Sequence, residues 1–218
     1  IGNAYLESVA KDKDAMIFTI GDNDTFLLWY AQEIEGYRTD VRVINTSLLQ
    51  TDWYIDQMKR QAYNSSPIPA QIEHKNYAYG VREGIYFRKR TENRWNIKDF
   101  VNWITSDDPN TQETRGEGEY KQTFYYYPTN KIRIPVNKEN VLKSGIVKPE
   151  DADKIVDYID ITLPNAIDKA RIVMLDILAN NDWKRPIYFT GGSMDATEYI
   201  WMKDYLQLDG LVYKLVPI

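Results

Sequence analysis

Two short apolar segments in the first third of the chain are separated by one segment of helical length. Residues 15–20 and 40–45 are rich in β-branched and apolar residues, as buried strands are. Residues 26–35 have a broad apolar face, and Asp24 and Thr25 precede them as candidate helix caps. Two strands joined by a helix form a βαβ unit, which requires parallel strands. We therefore expect an α/β fold.

The last third of the chain repeats this alternation. Residues 158–163, 186–190 and 211–216 have the pattern of strands. Pro164 is expected to open an amphipathic helix, and a further helix is expected over residues 197–206. With a helix expected over residues 53–63 as well, the fold class is a three-layer α/β fold whose mostly parallel sheet carries helices on both faces.

The middle of the chain interrupts the alternation. Residues 64–149 are punctuated by prolines and glycines, contain several aromatic segments and have few aliphatic residues. Because this stretch has too little aliphatic content for a core of its own, we interpret it as an aromatic-rich α+β insertion. The expected organisation is a single domain over residues 1–218, with a core of about residues 1–63 and 150–218 and an insertion of about residues 64–149.

Composition excludes several chemistries. The chain has no cysteine and one histidine, His74, so neither a thiol nucleophile nor a site with two histidine ligands can form within it. The formal net charge of −5 argues against nucleic acid as a partner. No apolar run is long enough to span a bilayer. Because the chain begins at Ile1 without a methionine or a signal-like segment, we expect it to be a fragment of a longer protein.

The first candidate site directly follows the first predicted strand. Asp22, Asn23, Asp24 and Thr25 offer carboxylate, amide and hydroxyl oxygens, and Asp22 and Asp24 could ligate a divalent cation. The alternative is structural: Asp22 and Asn23 bond the backbone of a turn and Asp24 caps a helix. Both interpretations remain open at this point.

The second candidate site follows a strand in the last third. Glycines after a buried strand let the backbone approach an anion, although a tight turn into the next helix explains them equally. Carboxyl ends of parallel strands meet at one edge of a sheet, so side chains that follow different strands are expected to converge there. The residues added to the candidate ligand-binding set on these grounds are Asn45, Ser47, Thr190, Gly191, Gly192 and Ser193.

Seven segments together resemble one protein family. They are residues 21–30 (GDNDTFLLWY), 35–45 (EGYRTDVRVIN), 47–54 (SLLQTDWY), 133–136 (RIPV), 148–154 (KPEDADK), 175–189 (LDILANNDWKRPIYF) and 208–213 (LDGLVY). They resemble a bacterial family of multi-spanning membrane proteins of formerly unknown function, related to protein O-mannosyltransferases. Leu27 departs from the proline expected there in relatives.

The resemblance implies a parent protein with an amino-terminal membrane region and this soluble region near its carboxyl end. In the related transferases the sugar comes from a lipid-linked donor, and the catalytic carboxylates lie in loops of the membrane part. The resemblance therefore assigns no catalytic residue to this chain, and no cofactor beyond a possible divalent cation.

The expected function is that of a soluble, extracytoplasmic accessory or binding module of a glycosyltransferase-like membrane protein. It would lie on the periplasmic side of a bacterial membrane, tethered through a transmembrane region. Its expected partners are the membrane domain of the same parent and an acceptor protein or glycan. Two alternatives stay open: a divalent-metal-dependent hydrolase or transferase that uses Asp22 and Asp24, and a structural protein-interaction module.

Overall fold

The structure is a computed structural model that describes residues 1–191 and 199–218. The strands in this part of the chain are β1 (Met16–Thr19), β2 (Arg42–Asn45), β3 (Gly84–Phe87), β4 (Trp95–Asn96), β5 (Gln112–Arg115), β6 (Gln122–Tyr127), β7 (Lys131–Pro135), β8 (Tyr158–Thr162), β9 (Ala166–Asp168), β10 (Ile187–Thr190), β11 (Leu206–Asp209) and β12 (Val212–Leu215). The α-helices are α1 (Gly2–Glu7), α2 (Gly21–Glu33), α3 (Asp52–Met58), α4 (His74–Tyr77), α5 (Ile97–Ile104), α6 (Lys138–Lys143) and α7 (Lys169–Asn181). Short 3-10 helices lie at Leu48–Gln50, Pro109–Thr111, Gly118–Tyr120, Pro149–Lys154 and Ile200–Tyr205.

A five-stranded central sheet has the order β11-β12-β10-β1-β2. As the βαβ pattern predicts, β1 is parallel to β2 and to β10. β12 is antiparallel to both β10 and β11, so the sheet is mixed. The α/β class predicted from the sequence is confirmed.

Helices cover both faces of the central sheet. Ile17 of β1 packs with Leu6 of α1 and Leu28 of α2 on one face, and Phe18 packs with the larger core on the other. Every residue of β1, β2 and β10 is buried, which explains why these strands have continuous apolar sequences. No helix in the described residues is both long and apolar enough to cross a lipid bilayer.

Two smaller sheets lie beside the central one. One has the order β5-β6-β3-β9 and the other the order β4-β7-β8. In each, a strand from residues 64–149 pairs with a later strand: β3 with β9, and β7 with β8. The middle of the chain therefore shares its sheets with the last third, and the division into core and insertion stays a prediction.

Two helices begin at residues other than those predicted. α2 begins at Gly21 rather than at residue 26, because Gly21, with a φ of +62°, is both the turn and the first helical residue. α7 begins at Lys169 rather than at Pro164, because β9 intervenes and Asp168 caps the helix by accepting a hydrogen bond from the Arg171 N–H at 3.0 Å. β11 was not predicted, and the helix expected over residues 197–206 lies partly outside the described residues.

Candidate functional site

Three parallel strands of the central sheet end side by side in polar residues. Thr19 of β1 is in register with Asn45 of β2, and Phe18 is in register with Phe189, so Thr190 lies at the level of Thr19. α2 starts directly after β1 and brings its first turn to the same edge. We call this edge the rim: Thr19, Asn45, Thr190 and residues 21–25.

Thr25 is the centre of a buried hydrogen-bond network in the rim. Its Oγ1 donates to the Gly21 carbonyl at 2.6 Å and lies 2.7 Å from Thr19 Oγ1. Asn45 Nδ2 donates to the same Thr25 oxygen at 3.0 Å, and Asn45 Oδ1 accepts from the Leu48 N–H at 3.0 Å. Because Thr25 and Thr19 are fully buried, this network fixes the start of α2 to the ends of β1 and β2.

Asp24 connects the first turn of α2 to β10. Its Oδ2 accepts a hydrogen bond of 2.7 Å from Thr190 Oγ1, and the Thr190 carbonyl accepts one from the Tyr199 hydroxyl. A Cβ at Gly191 would lie 2.8 Å from the Tyr213 ring, so the close approach of that ring requires glycine here. Gly191 is thereby explained by packing.

The remaining polar residues of the first turn face solvent. Asp22 and Asn23 are exposed and Asp24 is half-buried. The expected cap is not formed: Ile20 is the N-cap residue of α2 and no side chain caps it, since Asp22 and Asp24 lie inside the first turn. Acids at that position are stabilised by the helix dipole. Burial, and then the negative charge of Asp24, raise the pKa of Tyr5, a residue of α1. The side of α1 that carries Tyr5 therefore lies near the rim.

Ser47 belongs to a neighbouring cavity rather than to the network. It is exposed and lines a cavity of about 210 Å³ together with Gln50, Asp168 and Arg171. Arg171 Nη1 and Asp168 Oδ2 form an ion pair of 2.5 Å at this cavity. The two other predicted residues, Gly192 and Ser193, lie outside the described part of the chain.

The described residues contain no group of three or more His, Asp or Glu side chains arranged to hold a metal ion. Metal ligation by Asp22 and Asp24 stays a prediction. His74 lies away from the rim, in α4, where its Nδ1 is 3.0 Å from Asp56 Oδ1. That aspartate oxygen also accepts from the Tyr77 hydroxyl at 2.6 Å.

Sequence reasoning missed Thr19 of the rim and its neighbour Thr46. Thr19 belongs to the Thr25 network, and Thr46 donates to the Thr19 carbonyl at 2.8 Å. Both are buried threonines at the end of an apolar strand. A threonine at the end of an apolar run can be recognised in the sequence. Because a buried hydroxyl requires a hydrogen-bond partner, such a threonine predicts a polar contact at the end of the strand.

Comparisons with known proteins give one match. A family model described as TMEM260-associated domain 2 matches residues 1–218. TMEM260 is a family related to protein O-mannosyltransferases, so the association suggests a domain of a larger membrane protein. Neither the curated proteins nor the solved structures contain a match. Because the family model covers the whole chain, the chain belongs to the TMEM260-associated domain 2 family.

Proposed function

We propose that this chain is an extracytoplasmic accessory module of a membrane-embedded, glycosyltransferase-like parent protein and is not itself the catalyst. It binds the membrane domain of the parent through α2, and the rim next to α2 receives an acceptor protein or glycan. The parent lies in a bacterial membrane with this module on the periplasmic side. Nucleic acid is not a partner, in agreement with the net charge of −5.

A stripe of exposed apolar side chains on α2 carries this proposal. Phe26 and Tyr30 of α2 and Ile34, its C-cap residue, are spaced by four residues, so they lie on one side of the helix. They are 55%, 58% and 70% exposed. Leu27 beside them is 41% exposed. We call these four residues the α2 stripe. Large apolar side chains that cluster on a surface are typical of a protein–protein contact.

The rim supports a binding role more than a catalytic one. Thr19, Thr25 and Thr190 are fully buried, and their hydroxyl groups bond other groups of the rim. A side chain held in this way positions the backbone around it. The side chains of Asp22 and Asn23, and part of Asp24, are available to a partner, close to Phe26 of the stripe in the chain.

The test is acceptor glycosylation by the full-length parent in membranes. A parent with Phe26→Ser and Tyr30→Ser is compared with a matched control, Tyr79→Ser and Tyr120→Ser, whose tyrosines are 91% and 86% exposed elsewhere on the surface. At equal protein abundance, the stripe variant is expected to lose most of the transfer of sugar to protein acceptors, and the control is expected to retain it. Deletion of the whole module should have the same effect as the stripe variant.

Unchanged glycosylation in both the deletion and the stripe variant would contradict an accessory role. Loss of glycosylation in the deletion but not in the stripe variant would support the accessory role and would show that α2 is not the contact.

A further inference from the structure

Four cations with buried side chains in the described part of the chain are paired with carboxylates. A buried charge without a partner is costly, and ion pairing with additional hydrogen bonds is the usual compensation. The pairs are Arg38 with Asp40 at 2.8 Å, Arg82 with Asp107 at 3.5 Å, Lys169 with Glu83 at 2.6 Å and Arg185 with Asp14 at 3.2 Å. The cations of these pairs have side chains that are 11% exposed or less.

Arg42 differs from those four. It is 2% exposed, and within residues 1–191 and 199–218 no carboxylate forms an ion pair with it. Its described hydrogen bonds both come from Nη2, which donates to the carbonyl of Met58, the last residue of α3, and to that of Arg60 just beyond it. Its Nε is buried and has no hydrogen-bond partner among the described residues. Burial, and then the positive charge of the nearby Arg185, lower the pKa of Arg42 from its ordinary value, while Tyr54 and then Asp14, the ion-pair partner of Arg185, act in the opposite direction.

Arg42 also lines a cavity of about 300 Å³ beside the edge strand β2, between α2 and α3. This volume is at the lower end of the range for small-molecule sites, which is about 300–1,000 Å³. The rest of the lining combines apolar and aromatic groups with a few polar ones. Among them are Trp29, Val41, Val43, Tyr54, Met58 and Gln57.

We propose that this cavity is a binding site for a small organic anion whose carboxylate or phosphate group pairs with Arg42. The apolar part of the ligand contacts Trp29 and Met58. The site is independent of the rim and of the function proposed above, because it lies at the beginning of β2, whereas the rim lies at the end of that strand.

The charges around the cavity agree with a single anionic group. Glu33 is the acid among the lining residues, and it is exposed. Its Oε2 already accepts a hydrogen bond from the hydroxyl of Tyr63, another lining residue. Arg42 itself is buried, and the low dielectric around it strengthens its attraction for an anion that enters. A cation would meet that buried guanidinium and is excluded from the site.

The test is titration of the full chain with three probes: sodium benzoate, sodium acetate and inorganic phosphate, at constant ionic strength. Binding is followed by calorimetry and by the melting temperature. We expect saturable binding of at least one probe. Preference for benzoate over phosphate assigns a carboxylate ligand with an apolar body, and the reverse preference assigns a phosphorylated one.

Three variants locate the binding. Arg42→Gln should weaken it at least tenfold. Arg42 also bonds the backbone at the end of α3, so Arg42→Gln could lose the fold. Ala62→Phe is therefore the second variant: it fills the cavity and leaves Arg42 in place. Arg60→Gln is the matched control, because it removes an exposed positive charge nearby and should bind as the unaltered chain does.

Absence of saturable binding for all three probes would overturn the proposal. So would binding that Ala62→Phe leaves unchanged, since phosphate also stabilises proteins without a specific site.

Discussion

At the scale of single residues, residues 21–25 of the rim include both buried and exposed side chains. Thr25 contacts Thr19, Gly21 and Asn45 with its one hydroxyl group, whereas Asn23, two residues earlier, is exposed. Thr25→Val keeps the shape but leaves buried polar groups without a partner. We expect it to lower the free energy of unfolding by about 1–3 kcal/mol.

Asn23→Ala is the matched control for that substitution and should change the free energy of unfolding by no more than about 0.5 kcal/mol. Urea denaturation measures both variants. Equal effects of the two would show that the Thr25 network does not stabilise the fold.

The ion pair of Arg38 and Asp40 gives a pH-dependent prediction. Arg38 also donates to the carbonyls of Leu6, Val9 and Ala10, so it attaches the end of α1 to the loop before β2. Its hydrogen bonds to Asp40 lower the pKa of that carboxyl from 3.8. The stabilisation is therefore complete above the pKa of the unfolded chain and is lost as the pH falls through the lower pKa of the folded chain.

Asp40→Asn should accordingly cost about 1–3 kcal/mol of unfolding free energy at pH 7. The difference from the unaltered chain should shrink as the pH falls below 3.8, because Asp40 becomes protonated first in the unfolded chain and, at lower pH, in the folded chain. Urea denaturation at neutral and at acidic pH measures it. A difference that stays constant over this range would show that the ionised carboxylate is not the stabilising group.

At the scale of elements, the turn between β11 and β12 depends on Gly210. Its φ is +63°, and a Cβ there would lie 2.3 Å from Ser8 Oγ. Gly36 has the same φ, but a Cβ there would have no neighbouring atom within 4 Å. A substitution at Gly36 therefore reports backbone strain without steric overlap. Gly36→Ala should cost about 1–2 kcal/mol from strain alone, and Gly210→Ala should cost more.

Thermal denaturation of the two alanine variants measures this difference, and Ser8→Gly should recover part of the loss in Gly210→Ala. If Gly36→Ala and Gly210→Ala lower the melting temperature equally, the contact between Ser8 and the turn contributes nothing to the loss of stability in Gly210→Ala.

Sequence patterns predict the elements of this fold better than their ends. The buried strands β1, β2 and β10 were predicted because their continuous apolar sequences reflect burial on both faces. The start of α7 was not, because β9 is three residues long and its partner β3 lies about eighty residues earlier in the chain. A pairing of that separation leaves no periodic signal in a short segment.

The candidate site shows the same limit. The rule that parallel strands end at one edge predicted that Asp24 and Asn45 would converge, and both lie in the rim. Ser47 was expected there too, but it lines the neighbouring cavity. The cavity at Arg42 could not be predicted, because it depends on the path of residues 58–65 across the edge of β2. An arginine within an apolar strand was the available signal.

At the scale of the whole molecule, α2 connects the rim, the packed core and the exposed stripe. Its first turn forms part of the rim, one side packs against α1 and β1, and the α2 stripe is exposed. A Cβ at Gly2 would lie 2.2 Å from the Leu27 carbonyl oxygen, so α1 and α2 are in close contact. A partner bound to the stripe therefore contacts an element that is fixed to the sheet.

Site-specific photocrosslinking in the full-length parent tests the accessory-module account most directly. A photoreactive phenylalanine analogue replaces Tyr30 of the α2 stripe or, as a control, Tyr120, which is exposed between β5 and β6. The account predicts a crosslink from position 30 to the membrane domain of the same parent, identified by mass spectrometry, and none from position 120. Crosslinks from neither position, or equally from both, would contradict it.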